Sequence, residues 1–480
     1  MDNLITINEI GDFEINQIAF FKSICYNDYI MKKNIIKTLL LISPFLLTFV
    51  KGNDVISVDA ATLPTTIKLN DNTEEEVRSY YSDLSSLPES ERKGENLLKN
   101  HKKIIAKDNT FYDYGTGTSG IGAIYMITDR NWDASPASSL NNSYGVFDAS
   151  TNTIKNYNYK ENPYIFHYYV DRTYQENNPI KHKEDGASRV SFDKEHIWAK
   201  SHGFGLEGED VVTGAGTDLH HLVAANPSVN SNAHNAYSYG TVKNNSYDAP
   251  YSYLSGNKKG TQKYSHTNDE VDLVFEPHDA DKGDIARALI YMVARYNYIG
   301  SSDTPSKAEP NLELVNYVVN SPSESNLSQT AKYGVISELI RWNKFDAPDK
   351  YEIHRNNLIY NNYQNNRNPF IDFPEWVDVI YNEDGSFYNG ENYANPLTDE
   401  LNVGNDYVPP AETFDFDKFF EENKMIIMVV AVILIIAIII ILLIAVKKGK
   451  AKISVTKSGK IKIKATNKKS TSKKKSTKKK

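Results

Sequence analysis

The residues able to do chemistry gather between positions 189 and 235. Glu195-His196 sets a carboxylate beside an imidazole, at the end of the short run Arg189-Val190-Ser191-Phe192. Thr217-Asp218-Leu219-His220-His221-Leu222 follows, and then Asn226-Pro227-Ser228-Val229-Asn230. Hydrolysing a phosphodiester requires a nucleophilic water, neutralisation of charge at phosphorus and help for the leaving oxygen. One divalent ion serves the last two needs, and an imidazole that is neutral near pH 7 serves the first. Asn226 is a good N-cap and Pro227 suits the first helical position, so Asn230 is expected one turn into a helix as a neutral oxygen ligand. Oxygen donors without cysteine favour Mg²⁺, with Mn²⁺ or Ca²⁺ as substitutes, over a structural zinc. Residues 195 and 196 of an extended strand point to opposite faces, so both reach one site only where the strand ends or bends. Each residue also has a plain alternative. A Glu-His pair is commonly surface polarity, His220-His221 serve equally well as packing, and Asn230 is one asparagine among many. The ordered set carries the weight.

These residues need a frame. Tyr164–Val170 reads as the best strand of the first half, and the charged loop Lys181–Ser188 leads into the 189–192 strand. Gly203–Gly216 is a glycine-rich, acidic loop. Lys282–Tyr296 is the strongest helix, with Asp284 available as its cap and Ile285, Leu289, Met292, Val293 and Tyr296 on one stripe. Helical segments follow around 335–343 and 348–360, and Asn368–Asp372 reads as a turn.

The flanks read differently. Residues 1–30 look like an untranslated or disordered extension, with translation starting at Met31. Residues 31–61 have the lysines and apolar run of a signal peptide or signal anchor. Residues 62–96 read as a polar linker, 97–381 as the enzyme domain and 382–424 as a juxtamembrane linker. Met425–Val446 is 22 uninterrupted apolar residues, long enough for a transmembrane helix. The tail 447–480 then holds 16 lysines and no acid, which by the positive-inside rule makes it cytoplasmic. The expectation is a cell-membrane protein with one C-terminal span in the lipid bilayer and its catalytic domain extracellular. Net charge is −7, so the chain without that tail carries −23, which argues against holding nucleic acid by bulk charge. The one cysteine, Cys25, excludes an internal disulfide framework and offers no disulfide-linked partner to the mature domain.

Asp193-Lys194-Glu195-His196-Ile197-Trp198-Ala199-Lys200-Ser201 with Thr217–Asn235 resembles the endonuclease I family of bacterial secreted and periplasmic nucleases. The resemblance continues through Phe275-Glu276-Pro277, Lys282–Tyr296, Trp342, Asp346, Arg355-Asn356 and Asn366–Asp372, covering roughly Leu97–Tyr381 in the family's order. It implies an α+β fold with a ββα-metal (His-Me finger) core and additional helices, here joined to the C-terminal span. It implies His196 as general base, Glu195 and Asn230 as protein ligands of one Mg²⁺, and cleavage of DNA and/or RNA to 5′-phosphate and 3′-hydroxyl ends with little sequence preference. Asp218, His220, His221 and His234 are expected in support of the site or against substrate. The family's transition-state arginine does not align, leaving Arg189, Arg287 and Arg367 as its candidates. Ala199 replaces a frequent proline, Lys194 a frequent arginine, Asn343 a frequent histidine and Ala233 a frequent arginine, with His234 beside it. None of these departures removes the base or a metal ligand. A decayed nuclease scaffold serving as a surface nucleic-acid-binding or adhesion protein is the competing reading. A zinc protease fails because no His-Glu-x-x-His is present.

Overall fold

A computed structural model of the chain describes residues 61–116, 119–181, 192–205, 210–262, 264, 272–298, 304–319, 331–402, 404, 424, 440, 444, 446–448, 451–455 and 461–465. It divides into two units, Met1–Val408 and Pro409–Lys480.

The first unit is built around one helix that is buried on every side. Its strands are β1 (Ile67–Lys68), β2 (Val146–Asp148), β3 (Thr153–Lys155), β4 (Asp193–His196), β5 (Leu222–Ala225), β6 (Asn244–Asn245), β7 (Lys258–Gln262), β8 (Asp272–Glu276), β9 (Leu312–Val315) and β10 (Ala331–Gly334). The helices used below are α1 (Gly94–Ile105), α2 (Ile121–Thr128), α3 (Pro227–Val229), α4 (Lys282–Tyr296), α5 (Ile336–Phe345) and α6 (Lys350–Ile359). All residues of α4 are buried. Its apolar stripe packs with α5 and α1, and each fully buried Ile285, Leu289 or Met292 side chain contributes about 1.5–3 kcal/mol. The backbones of α4 and the α5 C-terminus touch: a Cβ on Gly283 would stand 1.9 Å from the Asp346 carbonyl oxygen, and Gly283 N–H donates to the Asp346 carboxylate. Asp284 does not cap α4 as expected. Asp281 precedes the helix, and Asp284 instead accepts from Arg287 and Arg172.

The antiparallel pair β4–β5 separates two apolar clusters. Val223 and Ala225 face the α4 cluster with Ile197 and Trp198, while Leu222 and Ala224 face a second cluster with α2 and Phe192. This is the period-two alternation of a strand covered on both sides. The register pairs Glu195 with Val223 and His196 with Leu222. β6, β7 and β8 form an antiparallel sheet, β1 and β2 flank β3, and β9 pairs with β10 in parallel.

Several expectations change. Tyr164–Val170 is not a regular strand: Ile165 bridges Arg130, Tyr164 bridges Lys181 and Tyr168 bridges Ala225. Tyr169 sits at φ +70°, which breaks extended pairing at that point. Residues 62–96 pack on the body and are no bare linker. Thr73 and Glu76 form a reciprocal capping box, which places Val77, Tyr81 and Leu84 in the core. Part of 382–402 packs likewise, with Ala394 buried and Asp399 accepting from the Trp376 indole.

The fold is mixed α and β, and the expected C-terminal transmembrane helix is corrected. No helix among the described residues is long and apolar enough to cross a membrane. Apolar length is necessary for a span but does not itself produce one, and most of 425–446 lies outside the described residues. The bilayer contact and the cell-membrane localisation rested on that span and fall with it. In the second unit, Ala451–Val455 (β11) and Ile461–Ala465 (β12) form an antiparallel hairpin inside the lysine-rich tail. The extension 1–30, the signal segment to residue 60, and Cys25 lie outside the described residues.

Candidate active site

The strand β4 ends at His196, and the chain turns there. Ile197 N–H donates to the His221 carbonyl, and the fully buried Trp198 indole donates to the His202 carbonyl at 2.7 Å. This turn reconciles the alternation of residues 195 and 196 with a shared site. Glu195, His196 and Asn230 line one cavity of about 1280 Å³, together with Lys194, Lys200 and His234.

Asn230 is placed by its helix start. The Asn226 side chain accepts from Ser228 N and Val229 N, and Pro227 occupies the first turn, as the sequence indicated. Beyond Val229 the helix widens into a π-turn over Asn230–His234, closed by a 2.9 Å bond from Asn235 N–H to the Asn230 carbonyl. Asn235 takes φ +37°, a left-handed conformation that asparagine tolerates. A π-turn brings residues four apart nearly over one another, so Asn230 and His234 both reach the cavity. The Asn230 amide nitrogen donates to Asp193 at 3.2 Å, which turns its oxygen away from that carboxylate.

Glu195 is 4 % exposed. Its Oε1 accepts from Tyr169 Oη at 2.7 Å, and His234 Nδ1 stands 2.5 Å from the same oxygen, off the line of a well-directed hydrogen bond. Among the described residues both contacts fall on Oε1. Burial first, then the Glu195 charge, keeps the Tyr169 phenol well above its ordinary range, so it remains a donor. Tyr169 is itself fixed: its N–H donates to Asp281 at 2.6 Å, and its carbonyl accepts from Asn257. The other edge of His234 is 3.1 Å from Tyr333 Oη, whose proton goes to the Tyr237 carbonyl. His234 is therefore buried against the carboxylate at the cavity wall, with Tyr239 stacked at 4.7 Å.

His196 Nε2 lies 2.9 Å from the Gly216 carbonyl. A carbonyl only accepts, so Nε2 carries the proton and Nδ1 keeps its lone pair. The carbonyl is held by a tight turn: Thr217 N–H donates to Gly214 O, and Ala215 N–H to Ala308 O. Gly214 has φ +123°, and a Cβ there would stand 2.5 Å from Ala308 O. Burial, joined by the charges of His221 and Lys200, pushes His196 down to about 3. It is a neutral imidazole across the physiological range. The Tyr114 ring lies nearly parallel to it, 5.6 Å away at 16°.

The remaining predicted residues sit apart. Asp218 is fully buried and accepts from Tyr291, Tyr296, Gln364 and the His220 N–H. Burial opposes its charge, but His220, His221 and the bond from Gln364 hold it below the ordinary carboxylate range. His220 Nε2 bonds to Asn366, and His221 Nε2 bonds to the Ala215 carbonyl behind His196. Asp218 ties the turn before β5 to α4, His220 ties it to Asn366 and His221 to the Ala215 turn, and none of the three lines the cavity. Arg287 is bound by Glu352, Asp284 and the Asp346 carbonyl, and Arg367 by Asp372 and Asn357. Both are buried away from the cavity, and Arg189 lies outside the described residues. Tyr114, Tyr169, Tyr239 and Tyr333 were not foreseen, because nothing local separates them from the chain's 32 tyrosines.

A family model for endonuclease I matches residues 96–375, more than half of the chain. The chain belongs to the endonuclease I family. Among curated proteins it is similar to an extracellular ribonuclease of Bacillus amyloliquefaciens, 37 % identical over 200 residues, covering 41 % of this chain and 56 % of that protein. An extracellular ribonuclease of Bacillus subtilis (strain 168) is 36 % identical over 198 residues, again 41 % of this chain and 56 % of the relative. The chain thus spans little more than half the length of these relatives. No solved structure matches it. The matched endonuclease I region contains β4, β5, α3 and α4, and with them every residue of the candidate site.

Proposed function

We propose that this chain is a metal-dependent endonuclease that hydrolyses phosphodiester bonds of RNA and DNA with little sequence preference. The observation that carries the reading is the convergence of Glu195, His196 and Asn230, from two elements, on one open cavity. The family match and the two ribonuclease names support it, and their being extracellular supports action outside the cell.

A hard cation such as Mg²⁺ fits the donors. Glu195 presents a carboxylate whose Oε1 is pinned by Tyr169, and Asn230 presents an amide whose nitrogen is occupied by Asp193. Among the described residues no group of three or more His, Cys, Asp or Glu is gathered as a metal cage. That agrees with an ion that keeps several waters and binds by few protein ligands. When bound, Mg²⁺ would supply positive charge to a phosphate oxygen and the leaving oxygen.

The residues of the chain supply the rest. His196 Nδ1 accepts a proton from water as the new O–P bond forms. The P–O3′ bond breaks, and the departing O3′ takes a proton from solvent. The Gly216 carbonyl keeps Nδ1 as the basic nitrogen, and Tyr114 limits rotation of the ring. Cleavage with little sequence preference needs contacts to the phosphate backbone alone, since base edges carry the sequence information.

The test is digestion of plasmid DNA and of RNA by the full-length protein across a Mg²⁺ titration. Cleavage that rises with Mg²⁺ and stops in EDTA is expected. Metal-independent binding of nucleic acid with no cleavage across Mg²⁺, Mn²⁺ and Ca²⁺ would refute it.

A further inference from the structure

The two arms of the candidate site come from different elements, and their spacing must be held. His196 ends β4, and Asn230 opens the π-turn after α3. The exit of that π-turn is strained. After Asn235 at φ +37°, Ala236 takes φ +66°, where the Cβ of an alanine crowds the following carbonyl. Such a conformation persists only where the surroundings fix it.

His202 reaches this exit from the other arm. It is buried, with Nε2 3.1 Å from the Ala236 carbonyl and Nδ1 3.3 Å from the Lys332 carbonyl on β10. Burial outweighs the two carbonyls and pushes its basicity below the ordinary histidine value, so near pH 7 the ring is neutral and carries one proton. The shorter contact takes it, and Nε2–H donates to Ala236 O. With both nitrogens against carbonyls, the ring is aimed at neither a metal nor a water. It also packs on Tyr333, 4.5 Å away, whose hydroxyl donates to the Tyr237 carbonyl just beyond Ala236. The backbone of His202 belongs to the turn behind the base: its N–H donates to Ala199 O, and its carbonyl accepts from the Trp198 indole.

We propose that His202 is a positioning residue, a strut that joins the turn behind His196 to the strained exit of the π-turn and so keeps Asn230 set to hold a divalent cation. Without the bond from Nε2–H, Ala236 relaxes out of the left-handed region. The adjoining bond from Asn235 N–H to the Asn230 carbonyl loosens with it, and the arrangement that presents Asn230 becomes a minor state. The strain of one left-handed residue corresponds to about 5- to 30-fold in population, and a ligand that needs a minor state binds more weakly by that factor. The assignment rests on the nuclease reading above.

The experiment follows three readouts on full-length protein: Mn²⁺ binding without nucleic acid by electron paramagnetic resonance, plasmid cleavage across a Mg²⁺ titration, and the unfolding midpoint in urea. His202→Leu should weaken Mn²⁺ binding and raise the Mg²⁺ half-saturation about 5- to 30-fold, with kcat at saturating Mg²⁺ within about threefold of wild type. His202→Gln, whose amide nitrogen falls near Nε2, should recover most of the loss, and His202→Asn, whose amide falls near Nδ1, should not. Ala236→Gly added to His202→Leu should also recover it, since glycine takes the left-handed region without the Cβ clash. Unchanged Mn²⁺ affinity in folded His202→Leu, with only the urea midpoint lowered, overturns the proposal and leaves His202 as packing. So does recovery by His202→Asn and not by His202→Gln, which puts the tie at β10. Should His202→Leu not fold, the contrast between Gln and Asn decides. Wild-type protein that neither binds Mn²⁺ nor cleaves defeats the nuclease reading itself. Wild-type protein that does both, beside a His202→Leu variant of equal affinity, defeats the strut alone.

Discussion

Tyr169→Phe is the most informative small change at the site. It deletes one oxygen, the donor to Glu195 Oε1 at 2.7 Å, and keeps the ring that meets Phe275 edge-on at 5.2 Å. A hydrogen bond to a charged group is worth about 1.5–3 kcal/mol. Second partners of metal ligands typically control about 10- to 100-fold of metal affinity, which is about 1.4–2.8 kcal/mol, so the two figures agree. Without the phenol, among the described residues the carboxylate keeps the poorly directed approach of His234 on that oxygen. The Mg²⁺ concentration for half-maximal cleavage should therefore rise 10- to 100-fold, while kcat at saturating Mg²⁺ stays within about fivefold of wild type. The assay is initial cleavage rate against free Mg²⁺ at fixed ionic strength. An unchanged half-saturation, or a large fall in kcat with no change in half-saturation, would refute the reasoning.

Two further outcomes follow from buried groups. His101 and His196 are pushed down to about 3, and His220 and His221 to about 4, chiefly by burial. Their folded values lie below the unfolded value of about 6.5, so the unfolded chain binds more protons and stability is lost as pH falls below about 6.5. Unfolding midpoints in urea should decline steadily from pH 6.5 to 4 and show no slope from these residues above pH 7; a midpoint flat between pH 6.5 and 4 would contradict this. Asp218→Ala strips a fully buried acceptor from Tyr291, Tyr296 and Gln364. It should cost about 3–5 kcal/mol, as breaking a buried charged network does, and lower the thermal midpoint by several degrees while leaving the Mg²⁺ half-saturation of the folded fraction unchanged.

The legible parts of this molecule were those coded locally. Lys282–Tyr296 is a helix with the bounds its periodicity implies, and Asn226-Pro227 starts the helix that carries Asn230. Illegible were the parts set by contacts distant in sequence. Tyr169 reaches Glu195 across 26 residues and Tyr333 reaches His234 across 99, so no local pattern marks them. Tyr164–Val170 has strand composition, but successive residues find different partners, and Asp281 captures the Tyr169 N–H. Residues 62–96 look polar because only Val77, Tyr81 and Leu84 of the Glu74–Ser85 stretch are drawn inward. The apolar run 425–446 satisfied a length rule that no helix among the described residues meets.

The central claim is that His196 is the base that activates water. Single-turnover cleavage by full-length His196→Ala, with wild-type folding verified, tests it most directly, with and without added imidazole. A loss of at least about 100-fold is expected, in line with general-base catalysis, with nucleic-acid binding retained and partial recovery by imidazole rising with its neutral fraction. Cleavage at the wild-type rate by His196→Ala would contradict the account.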